Sequence, residues 1–131
     1  MLRGFDGTLS TDSAAAALFE VWWSKHLRPG LFARATPDPK VRALLGPGDA
    51  DGVLAALETP GHWFGPSPTQ GRDALLLSTL TAAWRECETL MGADSTTWQW
   101  GRLHHGYFAH ALSAIGAAPE GLAIDVGPLP I

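Results

Sequence analysis

The chain is poor in the side chains from which reactive sites are usually built. It holds a single cysteine, Cys87. One cysteine forms no internal disulfide, so the fold gains nothing from an oxidising compartment. Cys87 falls inside an amphipathic run between Glu86 and Glu88, whose charges disfavour a thiolate, and it reads as a buried thiol and not as a nucleophile. Basic residues number only nine, none of them in a run, against a net charge of -4. That balance leaves no electrostatic footprint for nucleic acid or for an anionic membrane surface. No stretch approaches the roughly 20 apolar residues of a membrane span, and Met1–Gly7 has no apolar core of signal-peptide length, so the chain as written is expected in the cytoplasm. Among the serines there is no G-x-S-x-G elbow and no S-x-x-K. The glycine-dense stretch Gly46–Gly52 lacks the strand and the lysine of a phosphate loop and reads as a surface turn.

What the sequence does have is an aromatic, globular composition. Hydrophobic residues make up 46% and charged residues 17%, with six tryptophans and five phenylalanines against one tyrosine. That is enough apolar material for one core, and the length fits one domain. The organisation is expected to be mainly α, with a short strand or extended pieces near the C-terminus. A helix is predicted over about 12–27, opened by Asp12-Ser13 and closed by Arg28-Pro29-Gly30; Leu18, Val21 and Trp22 share a face that Phe19 and Trp23 widen. Most of the ten prolines fall between residues 29 and 71. They leave room for short helices at about 39–45 and 50–58, the second with Val53, Leu54 and Leu57 on one face. His62-Trp63-Phe64 is placed in a loop. The surest helix covers about 70–91, on the pattern Ala74, Leu77, Leu80, Ala83, Trp84, Cys87, Leu90, Met91, with Gly92 as its stop. An aromatic and histidine-rich segment follows over 96–112, in which Thr96–Trp100 reads as a strand or extended turn. A short strand is expected at about 122–126.

Two groups of residues invite a chemical reading. His104, His105 and His110 suggest a metal site, but HH-x4-H is not a spacing typical of zinc, and on a helix His104 and His105 diverge by about 100°. Histidines beside Trp98, Trp100, Tyr107 and Phe108 are better read as hydrogen-bonded members of an aromatic cluster. Asp6 and Asp12 have the spacing of a carboxylate pair. Yet Asp6-Gly7 is a turn dipeptide and Asp12 a helix N-cap candidate, so both acids have backbone roles. No metal, cofactor or catalytic residue is expected from these patterns.

Three pieces in order carry a resemblance. Phe5-Asp6-Gly7 looks like a W-D-G turn, Asp12-Ser13-Ala14-Ala15-Ala16 like a D-S-x-A-A helix start, and Trp98-x-Trp100-Gly101-x-x-His104, followed by an aromatic pair and His110-x-Leu112, like a W-x-W-G-x-x-H segment. Together they resemble the late β-chain region of the penicillin acylase family of N-terminal nucleophile hydrolases. The resemblance implies a helical part of a larger α/β amidohydrolase that cleaves acyl amides. The nucleophile of such enzymes is a serine at a self-processed chain terminus, supported by an asparagine and backbone oxyanion donors, all upstream of the part matched here. No catalytic residue is therefore carried over. Trp98, Trp100, Gly101, His104, His110, Asp6, Gly7 and Asp12 are retained as structural motif positions. Phe5 stands where tryptophan is usual, and Ala111 where the family has proline.

The expected role is that of a noncatalytic structural segment, inactive alone, whose partner is the remainder of an acylase β chain or a second copy meeting it through apolar faces. Family members are typically periplasmic or secreted. Two other readings remain: a small helical module that binds a protein through Trp63, Trp84, Trp98 and Trp100, and a histidine-based metal site.

Overall fold

The computed structural model describes residues 1–44, 50–108 and 126–130. Helix dominates: α1 (Ala14–Val21), α2 (Arg28–Ala35), α3 (Pro39–Arg42), α4 (Ala50–Glu58) and α5 (Pro68–Met91), followed by a two-stranded antiparallel sheet of β1 (His105–Phe108) and β2 (Val126–Pro130). No helix among the described residues is long and apolar enough to cross a membrane. The contacts divide the chain into two compact units, one of Leu18–Leu90 and one of Met1–Ala17 with Met91–Ile131.

In the Leu18–Leu90 unit the first helix does not stop at Pro29. Trp22–Leu27 winds as a π-helix and leads without a break into α2. Proline has no N–H to give the carbonyl four residues back, and its ring collides with that carbonyl. Widening the turn removes the conflict, and Arg28 N–H reaches the Trp23 carbonyl, five residues back. The helix ends at Thr36, whose backbone (φ -135°, ψ 88°) has left the α region that a following proline, here Pro37, disfavours. Gly30 explains why the chain stays helical here. A Cβ on it would lie 3.2 Å from Leu75 Cδ1 and 3.3 Å from Thr79 Cγ2, so α2 and α5 touch at this glycine.

Around that contact Leu27, Leu31, Val53, Phe64 and Leu75 form the core of the unit, with Trp22, Trp23, Phe32, Ala56, Leu57 and Leu76 packed against it. Leu54, expected on the inner face of α4, is 49% exposed. On α5 the buried ridge is Leu75, Ala83 and Cys87, continuing to Met91, with the half-buried Thr79 between. Ala83, Cys87 and Met91 belong to the predicted face, but in the first turns Leu75 takes the inner position and leaves Leu77 68% exposed. The ridge follows the four-residue rows of a helix surface, which its small members allow a neighbouring helix to approach. Thr79 Oγ1 also accepts the Trp22 indole N–H at 3.0 Å. Arg72 donates to the Leu57 carbonyl near the end of α4, one of the groups a helix terminus leaves unpaired. His62–Phe64 is a 3₁₀ turn in place of the predicted loop, with Phe64 buried.

In the other unit the start of α1 is capped by Ser13, whose Oγ accepts the Ala16 N–H at 3.1 Å; the Asp12 carboxylate accepts from the Ser10 hydroxyl instead. Ala16 and Ala17 are fully buried. Thr96–Trp100 is not a strand. It forms two 3₁₀ turns, Ser95–Thr97 and Trp100–Arg102, the first capped by Asp94. β1 pairs His105 with Pro130 and Gly106 with Leu129; a bulge then sets Gly127 and Pro128 opposite Tyr107 before Phe108 meets Val126. Prolines fit here because each strand of a two-stranded sheet has a free edge. Of the strand expected at about 122–126 only Val126 is described, and it opens β2; residues 121–125 and His110 lie outside the described residues.

Candidate functional site

The signature segment supplies the candidate site, and its chain path is set from the first residue onward. Gly92, with a φ of +99°, turns the chain out of α5 in a conformation that glycine adopts without strain. Asp94 then takes the Thr96 N–H and hydroxyl, which hold its carboxyl below the usual carboxylate range. This places Trp98 at 1% exposure, among the largest fully buried side chains of the chain, and its indole N–H donates to the Gly92 carbonyl at 2.7 Å. A buried indole needs such a partner, and the turn backbone provides it.

Gly101 lies at a close crossing. Its N–H donates to the Thr11 carbonyl at 2.7 Å, and a Cβ on it would lie 3.0 Å from both Thr11 Cβ and Pro130 Cβ. The glycine of the W-G pair thus joins the segment just before α1 to the end of β2. Trp100 and His104 stack face to face, with ring centroids 4.8 Å apart and planes 9° off parallel, because the turn between them also bonds His104 N–H to the Trp100 carbonyl. His105 opens β1 and is exposed. Among the described residues no three His, Cys, Asp or Glu side chains converge as a metal ion requires.

At the N-terminal end Asp6 accepts the Thr8 N–H at 2.8 Å, which draws its carboxyl below the usual range, and Gly7 takes a φ of +87°. Asp6-Gly7 is therefore a turn of the Asx kind. The structure brings Gly101 to the N-terminal segment through Thr11, not through Asp6 or Asp12. Gly92, expected as the stop of α5, and Ser13, expected at the opening of the first helix, stand where the sequence placed them, whereas sequence reasoning missed Thr11 and Pro130, whose contributions are a backbone group and close packing that leave no residue-type signal.

A second polar cluster, also missed, joins residues about sixty positions apart. Glu86 meets Lys25 Nζ through one carboxylate oxygen and His26 Nε2 through the other, each at 2.6 Å. The Lys25 hydrogen bond, helped by His26 and opposed by partial burial, holds the Glu86 carboxyl below the usual glutamate range. A glutamate with a folded pKa below its unfolded value stabilises the fold where it is ionised in both states, and the contribution fades as pH falls through the folded value. Thermal melts of the wild type and Glu86→Gln should therefore differ most above about pH 5, with the difference shrinking as pH falls below the ordinary glutamate pKa and through the lower folded value. A constant difference across that window would exclude ionic stabilisation by Glu86.

Cys87, next to this cluster, is fully buried, and burial followed by the Glu86 charge pushes its thiol up to about 11. A thiol so protonated is a poor nucleophile at neutral pH. We expect native protein at pH 8 to react with a thiol-specific disulfide reagent only at its unfolding rate, and denatured protein within the mixing time; rapid native labelling would contradict the burial.

Within the signature the Trp98 indole N–H and the Gly101 N–H are bonded to backbone, Trp100 stacks on His104, and the buried Trp98 offers no surface to a partner. The comparisons with known proteins agree with the resemblance that these residues carry. The penicillin amidase family model matches residues 1–131. The chain is 32% identical over 118 residues to an acyl-homoserine lactone acylase QuiP of Pseudomonas syringae pv. syringae, and 34% identical over 113 residues to the QuiP of Pseudomonas putida. The first match covers 82% of this chain and the second 79%. In both cases the chain spans only 14% of the relative's length. The chain belongs to the penicillin amidase family.

Proposed function

We propose that this chain is a scaffolding segment of the β chain of an amidohydrolase that removes the acyl group from an N-acyl compound of the acyl-homoserine lactone class, and that the nucleophile and oxyanion donors come from the rest of that enzyme. The observation that carries this reading is the Gly101 crossing: the glycine of the signature joins Thr11 to β2 in close contact, and Trp98 near it in sequence is buried and bonded to turn backbone. The raised thiol of Cys87 and the ion-paired Glu86 support it, since neither is in a state suited to attack or to proton transfer. The substrate class rests on the names of the relatives, and the partner is the remainder of the β chain.

The purified chain should release no homoserine lactone from N-acyl-homoserine lactones. Grafted in place of the matching segment of the Pseudomonas putida relative, it should sustain acylase activity, and Gly101→Val in the graft should remove it together with the folded protein. Hydrolysis by the isolated chain, abolished by Cys87→Ala or His104→Ala, would overturn the proposal.

A further inference from the structure

The π-turn and the two helices after it build a feature that the signature segment has no part in. Ser24, Arg28 and Phe32 follow one another at intervals of four along one side of the continuous helix, and with Pro29 and the Arg42 of α3 they line an open cavity of about 290 Å³. Two arginines from different elements thus line one cavity, with Pro29 and Phe32 supplying apolar surface beside them. Among the described residues no carboxylate forms an ion pair with either arginine. Asp38, one helical turn before Arg42, caps α3 by accepting the Lys40 N–H. Arg42 donates to the Thr36 carbonyl, which holds it over the cavity and leaves the remaining N–H groups of its fork to serve a ligand. The Ser24 hydroxyl is tied to the Glu20 carbonyl, so its oxygen lone pairs are all that it offers.

We propose that this cavity binds a small amphiphilic carboxylate, its charged end held by Arg28 and Arg42 and its alkyl chain laid along Phe32 and Pro29. The planar fork of arginine matches a carboxylate bidentately. A lone inorganic anion would satisfy the charges but leave the apolar wall without a partner. The size is near the lower end of ligand cavities, which suits a chain of a few carbons. The site stands independently of any acylase reaction, and its residues all belong to the Leu18–Leu90 unit.

The test is a titration of the full chain, followed by amide chemical shifts, with hexanoate, hexan-1-ol and inorganic phosphate. Hexanoate should saturate, with shifts centred on residues 24–42, at a Kd at least about tenfold below that of hexan-1-ol, as expected for a charge-assisted fork. Arg28→Gln should weaken hexanoate by about tenfold or more. Arg28→Lys keeps the charge and the helix, should weaken it less, and replaces the first variant if that one fails to fold. Equal binding of hexanoate and hexan-1-ol, or affinity unchanged in the folded Arg28 variant, would overturn the site. Phosphate binding as tightly as hexanoate with the same shifts would overturn its assignment to a carboxylate.

Discussion

Trp98→Ala is expected to cost about 4 kcal/mol, the largest loss of any single truncation among the described residues of the Met1–Ala17 and Met91–Ile131 unit. The side chain is 1% exposed, and alanine in its place leaves a cavity the size of an indole beside fixed turn backbone. The Gly92 carbonyl also loses the N–H that it accepts at 2.7 Å. That second part can be isolated. Trp98→Phe keeps most of the buried ring and removes the donor, so it should cost about 1–2 kcal/mol, the usual effect of leaving one buried group unsatisfied. Urea unfolding followed by far-ultraviolet circular dichroism measures both. An alanine variant within about 1 kcal/mol of wild type would show that the indole is dispensable for the fold.

Gly71→Ala is expected to destabilise the Leu18–Leu90 unit by about 3 kcal/mol, although helix propensity alone predicts the opposite sign. Glycine inside a helix is worse than alanine by about 0.5–1 kcal/mol, so the exchange ordinarily helps. Here a Cβ would be driven into the Phe64 carbonyl oxygen and would crowd the Phe64 Cβ at 3.1 Å. Phe64 is not free to move away. Its side chain is 3% exposed in the core, and its turn is held by the Phe64 N–H to Gly61 bond and by Gly65 at a φ of +95°. Gly52→Ala, at an exposed position of α4, provides the control and should raise stability by about 0.5 kcal/mol. If both alanine variants melt above wild type, the close approach of α5 to the Phe64 turn is wrong.

These two positions show how unevenly the sequence disclosed the molecule. Trp98 could be named from the W-x-W-G-x-x-H spacing, because a motif is a statement about residue types. Gly71 could not, since a glycine required by a neighbouring carbonyl looks like any other helical glycine. The same difference separates Pro29 from Pro37. Pro29 read as the stop of the first helix, but it is Pro37, taken only as part of a turn-rich stretch, that ends it. At Pro29 the π-turn costs backbone geometry that the contact of Gly30 with Leu75 and Thr79 and the burial of Leu27 and Leu31 offset. Periodicity likewise located α5 and the inner positions Ala83, Cys87 and Met91, but misjudged the inner residue of its first turns. Alternating Leu and Ala on two neighbouring stripes gave no reason to choose Leu75 over Leu77, and the small residues Thr79, Ala83 and Cys87 decided the matter by admitting a helix.

By itself the sequence determined the mainly helical character, the existence of α1, α4 and α5, the turn at Asp6-Gly7, the buried thiol and the penicillin amidase family, because each depends on residue type at local spacing. Only the tertiary structure decided that Leu75 and not Leu77 is buried on α5, that Gly101 meets Thr11 and Pro130, that Glu86 gathers Lys25 and His26, and that two arginines line one cavity. Those are encounters between residues far apart in the chain. Nothing in local composition specifies them, since they are selected by packing and by the need to satisfy backbone groups once the helices have come together.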